Sequence, residues 1–143
     1  LMPLVDRGRS LTCPVYIDDV VKAIRLALIA PQAVGETFSI TGGERINWHE
    51  QFKYAAIFLG RRARFLNFPS RPLRRIARTM ETTYRVLGIS RVSPLTVYRV
   101  DQLRNDYHFS ISRARNLLGY CPEVPFDEGI RRTVEAFLHD SDS

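Results

Sequence analysis

The sequence predicts an α/β fold, mostly helices with a few short strands. Three observations carry that expectation. Apolar residues recur at helical spacing in several separate segments. Two short runs, Leu11–Ile17 and Thr37–Thr41, are β-branched or alternate polar with apolar residues. Glycine, proline or a capping residue stands where most of these segments end.

The elements follow in order. Leu11–Ile17 reads as a strand. Asp18 and Asp19 come next and are expected to start a helix, by accepting bonds from free N–H groups and by meeting its positive end. Adjacent carboxylates diverge on a helix and on a strand, which argues against a shared metal. Val20, Val21, Ile24, Ala27 and Leu28 form one apolar face of that helix, opposite Lys22 and Arg25, with Pro31 beyond its end. Thr37–Thr41 suits a half-buried strand, and Gly42-Gly43 a turn. Asn47 with Glu50 is a variant capping box. Trp48, Phe52, Ala55, Ala56 and Leu59 then share a helical face that stops at Gly60. A helix from Pro72 to Leu87 sets Leu73, Ile76, Ala77, Met80, Tyr84 and Leu87 against Arg71, Arg74, Arg75, Arg78 and Arg85. Leu95–Leu103 reads as another helix. Ser110 caps a short one with Ala114, Leu117 and Leu118 inward, closed by Gly119 and Pro122. The last runs from about Phe126 to His139, with Phe126, Ile130, Val134, Phe137 and Leu138 on one face. Residues 1–140 are expected to form one region and residues 141–143 a tail.

The chain has 143 residues and a net charge of +6. Between Arg61 and Arg91 stand nine arginines and a single acid, Glu81. Such asymmetry favours a polyanion or a membrane surface as partner. No apolar run reaches the roughly 20 residues that span a bilayer. The expected location is cytoplasmic, with peripheral contact to the inner membrane face through the basic helix near 72–87. Cys13 and Cys121 fit no metal or redox spacing and are expected to be small buried residues in a reducing compartment. No leader pattern is visible, and the start at Leu1 suggests a fragment.

Motifs that carry chemistry are missing. His49, His108 and His139 have no ligand spacing. There is no Gly-x-Ser-x-Gly elbow and no GxGxxG or Walker pattern. Neither lysine completes a Tyr-x-x-x-Lys pair: Lys22 follows Asp18 by four residues, and Lys53 follows His49. No catalytic, cofactor-binding or metal-ligating residue is assigned.

Three segments in order, VYIDDVVKAIRLAL, GETFSITGGERINWHEQFKYAAIFLG and FSISRARNLLGYCPEVPFDEGIRRTV, resemble the C-terminal half of the extended short-chain dehydrogenase/reductases, also called the NAD-dependent epimerase/dehydratase family. The resemblance implies the substrate-binding portion of a Rossmann-type dehydrogenase whose N-terminal dinucleotide-binding domain is absent. That absent domain would carry the glycine loop and the Tyr-x-x-x-Lys pair. NAD or NADP would bind in the full-length parent, and none would bind to this chain alone. The parent would move a hydride between nicotinamide and a carbon bearing a hydroxyl or carbonyl. The Asp-Asp segment is architectural in this family.

Members acting on nucleotide sugars often carry an arginine shortly before that segment, where this chain has Thr12-Cys13-Pro14. The run from Ser93 to Tyr120, behind a basic amphipathic helix, looks more like the 3β-hydroxysteroid and sterol dehydrogenase branch. Pro125 replaces a serine common before the last helix, a change tolerated at a helix start. Thr12, Pro14, Tyr16 and Arg99 are the candidates to line an apolar hydroxy or keto substrate. The plainer reading, favoured for both, makes Tyr16 a packed strand residue and Arg99 part of a solvated helix face. Two alternatives stand beside this reading: a nucleotide-sugar epimerase or dehydratase of the same family, and a non-enzymatic basic module that binds anionic membrane or nucleic acid. No specific nucleic-acid motif is present.

Overall fold

The computed structural model describes residues 2–89, 91 and 93–141. Its strands are short and pair two by two. β1 (Met2–Val5) lies parallel to β4 (Phe65–Phe68), with Met2 opposite Phe65 and Val5 opposite Phe68. A parallel pair needs a long crossover, and the chain between the two strands supplies it. β2 (Leu11–Thr12) runs antiparallel to β3 (Ile46–Asn47). The strand expected over Leu11–Ile17 is therefore two residues long. Residues 13–16 are irregular, and Ile17 already opens α1 (Ile17–Ile29).

Thr37–Thr41 keeps its alternation but forms no ladder. Phe38 and Ile40 pack inward while Thr37 and Ser39 face out. Among the described residues, no strand pairs with it. The Tyr120 hydroxyl, donating to the Thr41 carbonyl at 3.0 Å, ties its end to the core.

The core gathers Ala23 of α1, Ile111, Ala114 and Leu118 around α5 (Ser112–Leu118), and Tyr120. Leu26, Ala27, Phe38 and Ile40 pack against it. Small residues at Ala23 and Ala114 let the two helices approach closely. The apolar face of α1 is thus divided. Ala23, Leu26 and Ala27 turn inward, whereas Val21, Ile24 and Leu28, expected inside, are exposed, Leu28 by 80%. Together with Ile17 they form a second, open stripe at i, i+4, i+7 and i+11.

α2 (Trp48–Phe58) starts as its sequence predicts: the Asn47 side chain accepts from Glu50 N–H at 2.8 Å. Its end is a Schellman closure at Gly60, φ +64°, with Arg61 N–H bonded to the Ala56 carbonyl at 2.9 Å. α3 (Ser70–Val86) buries Ala77 and half-buries Leu73, Met80 and Tyr84, but leaves Ile76, Val86 and Leu87 in the open. Asp6, from the turn after β1, accepts from Ser70 N–H at 2.9 Å and so caps α3 from outside. A hydrogen bond with the Ser70 side chain, chiefly, and then this backbone one hold the Asp6 carboxyl below its ordinary value, against the opposing effect of burial. α4 (Val97–Arg104) packs on α3. Arg74 pairs with Asp101 at 2.9 Å, and Glu81 accepts from Val97 N–H at 2.9 Å. α6 (Phe126–Ser141) packs on α2 and stays helical through Ser141, past the expected end at His139. Of the expected tail, residues 142 and 143 lie outside the described residues.

Candidate functional site

The first turn of α1 departs from the expected capping. Its N-cap is Tyr16, which makes no side-chain cap bond. Asp18 is exposed, with Arg132 at 3.6 Å. Asp19 is only 2% exposed, and its carboxylate reaches across the chain instead. Oδ1 accepts from Glu123 N–H at 2.9 Å and Oδ2 from Val124 N–H at 3.2 Å. The acid thus fastens a distant loop to α1, and two charge-assisted bonds offset the cost of burying it. Local pattern cannot reveal a partner 104 residues away.

That clamp builds one wall of a cavity of about 170 Å³. Pro14, Val15 and Tyr16 form one side, Gly42 and Glu44 a second, and Val124 to Thr133 the floor, with Gln51 of α2 entering. Two glycines make this closeness possible. Gly42 N–H donates to the Pro14 carbonyl at 2.9 Å, and a Cβ at residue 42 would lie 2.5 Å from that same oxygen. Gly129, inside α6, lets the helix approach Tyr16: a Cβ there would meet the tyrosine's Cβ at 3.3 Å. An isolated glycine in a helical pattern costs about 1 kcal/mol against alanine, and this close packing is its reason.

The polar groups of the cavity are largely engaged. Glu44 accepts from Phe126 N–H at 3.0 Å, which caps α6 from outside. Thr12 donates to the Ile46 carbonyl at 3.1 Å and accepts from the Gln51 amide. Arg132 lies 5.6 Å from the centre of the Tyr16 ring. Its guanidinium is bound to Glu128 at 2.6 Å. Arg131, then Arg132, hold the Glu128 carboxyl down to about 2. Edge-on contact between Tyr54 and Phe126, 5.6 Å between ring centres, braces the floor.

Of the residues singled out by sequence, Pro14 and Tyr16 line this cavity, and Thr12 touches it through Gln51. Arg99 does not line it: it sits on α4 with its guanidinium on the Pro94 carbonyl at 2.9 Å. Sequence reasoning missed Glu44, Gln51, Phe126, Ile130 and Thr133, which converge only through tertiary packing. The cysteines also differ from expectation, since Cys121 is exposed and Cys13 half-buried. Among the described residues, no helix is long and apolar enough to cross a membrane.

No family model matches the chain. Over 113 residues it is 35% identical to 3beta-hydroxysteroid-dehydrogenase/decarboxylase isoform 2 of Arabidopsis thaliana, covering 78% of this chain and 20% of that protein. It is 30% identical over 135 residues to 2-alkyl-3-oxoalkanoate reductase of Stenotrophomonas maltophilia, covering 90% of this chain and 40% of the relative. Among solved structures it superposes with a TM-score of 0.65 on UDP-glucose 4-epimerase of Thermotoga maritima, a structure containing UDP-glucose, at 22% identity. That superposition covers 98% of this chain and 35% of the epimerase. The chain thus spans well under half the length of the proteins it matches. Motif order, sequence likeness and shared architecture agree, and the chain belongs to the extended short-chain dehydrogenase/reductase family, the NAD-dependent epimerase/dehydratases.

Proposed function

We propose that this chain is the substrate-binding part of an NAD(P)-dependent oxidoreductase that acts on an apolar hydroxy or keto compound of sterol-like character. One observation carries the choice of substrate: no lysine or arginine lines the cavity, and its single charged lining residue is the acid Glu44. A diphosphate would meet a carboxylate there. Val15, Val124, Pro125, Phe126 and Ile130 instead supply apolar walls that exclude water. Tyr16, Gln51 and Thr133 offer the hydroxyls and the amide that orient a hydroxyl or carbonyl oxygen. The relatives named for hydroxysteroids and oxoalkanoates support the same class.

The nicotinamide, when bound, accepts or delivers the hydride. The starts of α1, α2, α3, α4 and α6 do not suit its pyrophosphate, and α5 has only seven residues. A phosphate-binding helix start needs open N–H groups and no competing anion. Here Asp18 and Asp19 occupy the first turn of α1, Glu50 that of α2, and Asp127 and Glu128 that of α6. Asp6 and Glu81 cap α3 and α4. We therefore place the cofactor on a further domain of the parent. The open stripe of Ile17, Val21, Ile24 and Leu28 is the surface such a domain would cover. Arg71, Arg75, Arg78 and Arg85 are exposed on α3 beside Ile76, Val86 and Leu87, and suit peripheral contact with anionic lipid. Each basic residue near such a surface contributes about 1 kcal/mol.

The test is nicotinamide absorbance in the full-length parent, offered hydroxysteroids, 3-oxoalkanoates or UDP-sugars. Turnover of the apolar compounds supports the proposal, and turnover of UDP-sugars alone refutes it. Titration of this chain with NAD and NADP should give no micromolar binding. Salt-sensitive sedimentation with anionic vesicles, and none with neutral ones, tests the lipid contact.

A further inference from the structure

Around Cys13 lies a second cluster, whose cavity shares no lining residue with the one described above. Cys13 Sγ is 3.5 Å from His108 Nδ1, although the two residues are 95 positions apart. On the far side of the same ring, Arg45 Nη2 is 2.7 Å from His108 Nε2. A guanidinium can only donate, so Nε2 accepts. The ring proton of the neutral imidazole then sits on Nδ1 and points at the sulfur. An N–H donor is a better partner for a thiolate than for a thiol, and thiolate is the reactive form. The cluster opens on a cavity of about 180 Å³ lined by Cys13, His108, Ser110, Ser112 and Arg115, with no acidic side chain in its lining. Arg115 in the lining and Arg45 behind the His108 ring, with no carboxylate in that lining, match a reagent that brings negative charge.

We propose that Cys13 is a thiol-modification site that exchanges with anionic low-molecular-weight disulfides. The Cys13 thiolate, its proton released to water, attacks one sulfur of the disulfide. The S–S bond of the reagent breaks, a mixed disulfide forms on Cys13, and the other half leaves as a thiolate. Cys13 is oxidised and the leaving half is reduced, so no further oxidant is needed. A small thiol reverses the reaction by the same exchange. His108 and Arg45 hold and activate the sulfur, and Arg45 with Arg115 attracts the carboxylates of the incoming disulfide.

The chain contains its own reference. Cys121 is the more exposed thiol, and among the described residues its Sγ meets the Pro122 carbonyl, at 3.8 Å. Exposure alone therefore predicts that Cys121 reacts first. The experiment treats the intact chain with oxidised glutathione, or with cationic cystamine, and follows each cysteine by peptide mass mapping. Cys13 should be modified about tenfold faster than Cys121 by oxidised glutathione, and that lead should shrink several-fold with cystamine, which keeps the activation but not the charge attraction. His108→Gln and Arg45→Gln should bring Cys13 to the rate of Cys121. A Cys13 rate at or below that of Cys121 with oxidised glutathione overturns the proposal. So does an equal lead with cystamine, or a wild-type rate in both variants. The comparison of the two disulfides needs no variant, so it decides even if a substitution impairs folding.

Discussion

Replacing Asp19 tests the architecture most directly. The carboxylate is buried and accepts two backbone N–H groups, from Glu123 and Val124. Asp19→Ala removes both acceptors and leaves two partly buried donors unpaired. Each costs about 1–3 kcal/mol, so the loss should be about 2–6 kcal/mol, toward the low end where water reaches the loop. A local helix cap would be worth only about 0.5–2 kcal/mol. Asp19→Asn keeps one acceptor but turns an amide N–H₂ toward the other donor, and should fall between wild type and alanine. Asp18→Ala is the control. Its side chain is exposed, its arginine is 3.6 Å away, and a surface pair with a helix-start contribution amounts to about 1 kcal/mol at most. Urea unfolding of the four proteins measures all of this. Because Val124 also lines the cavity, the Asp19 variants should weaken ligand binding in the full-length parent as well. An Asp19→Ala cost below about 1 kcal/mol, no larger than that of Asp18→Ala, would refute the clamp and restore simple capping.

Three further outcomes are expected. Tyr120 is fully buried, and burial, reinforced by the charge of Asp19, pushes its phenol up to about 12 from an ordinary 10.0. Since the folded value is the higher one, stability is fully present below pH 10 and is lost as pH rises toward 12, by about 2–3 kcal/mol. Tyr120→Phe should abolish that part of the alkaline slope in pH-dependent urea melts; an unchanged slope would count against the burial account. Gly42→Ala places a Cβ 2.5 Å from the Pro14 carbonyl oxygen and should cost about 1–3 kcal/mol by thermal melting, with a wild-type melt contradicting the close approach. The open stripe on α1 should make the chain self-associate and bind a hydrophobic dye, and Val21→Ser, Ile24→Ser and Leu28→Ser together should suppress both. A dye-negative, monodisperse wild-type monomer in light scattering would contradict that expectation.

The sequence by itself determined the helices, because their signals are local. The Asn47–Glu50 cap, the Gly60 stop and the inward Ala77–Met80–Tyr84 side of α3 all depend on neighbours within a few residues. Motif order also carried the family, since three separated segments keep their succession whatever their packing. Tertiary structure decided the rest. β1 and β4 are four residues each, and Pro3 and the surrounding arginines blur their pattern; only their pairing across about sixty residues makes them strands. Thr37–Thr41 shows the converse, a correct alternation with no paired strand among the described residues. The open half of the α1 face was invisible for a related reason: periodicity reports which residues are apolar, not which of them find a partner. The cavity likewise joins Pro14, Gly42, Gln51 and Gly129 from four distant stretches, and Cys13 meets His108 only in the fold. Side-chain chemistry is written residue by residue, but convergence is a property of the path the backbone takes.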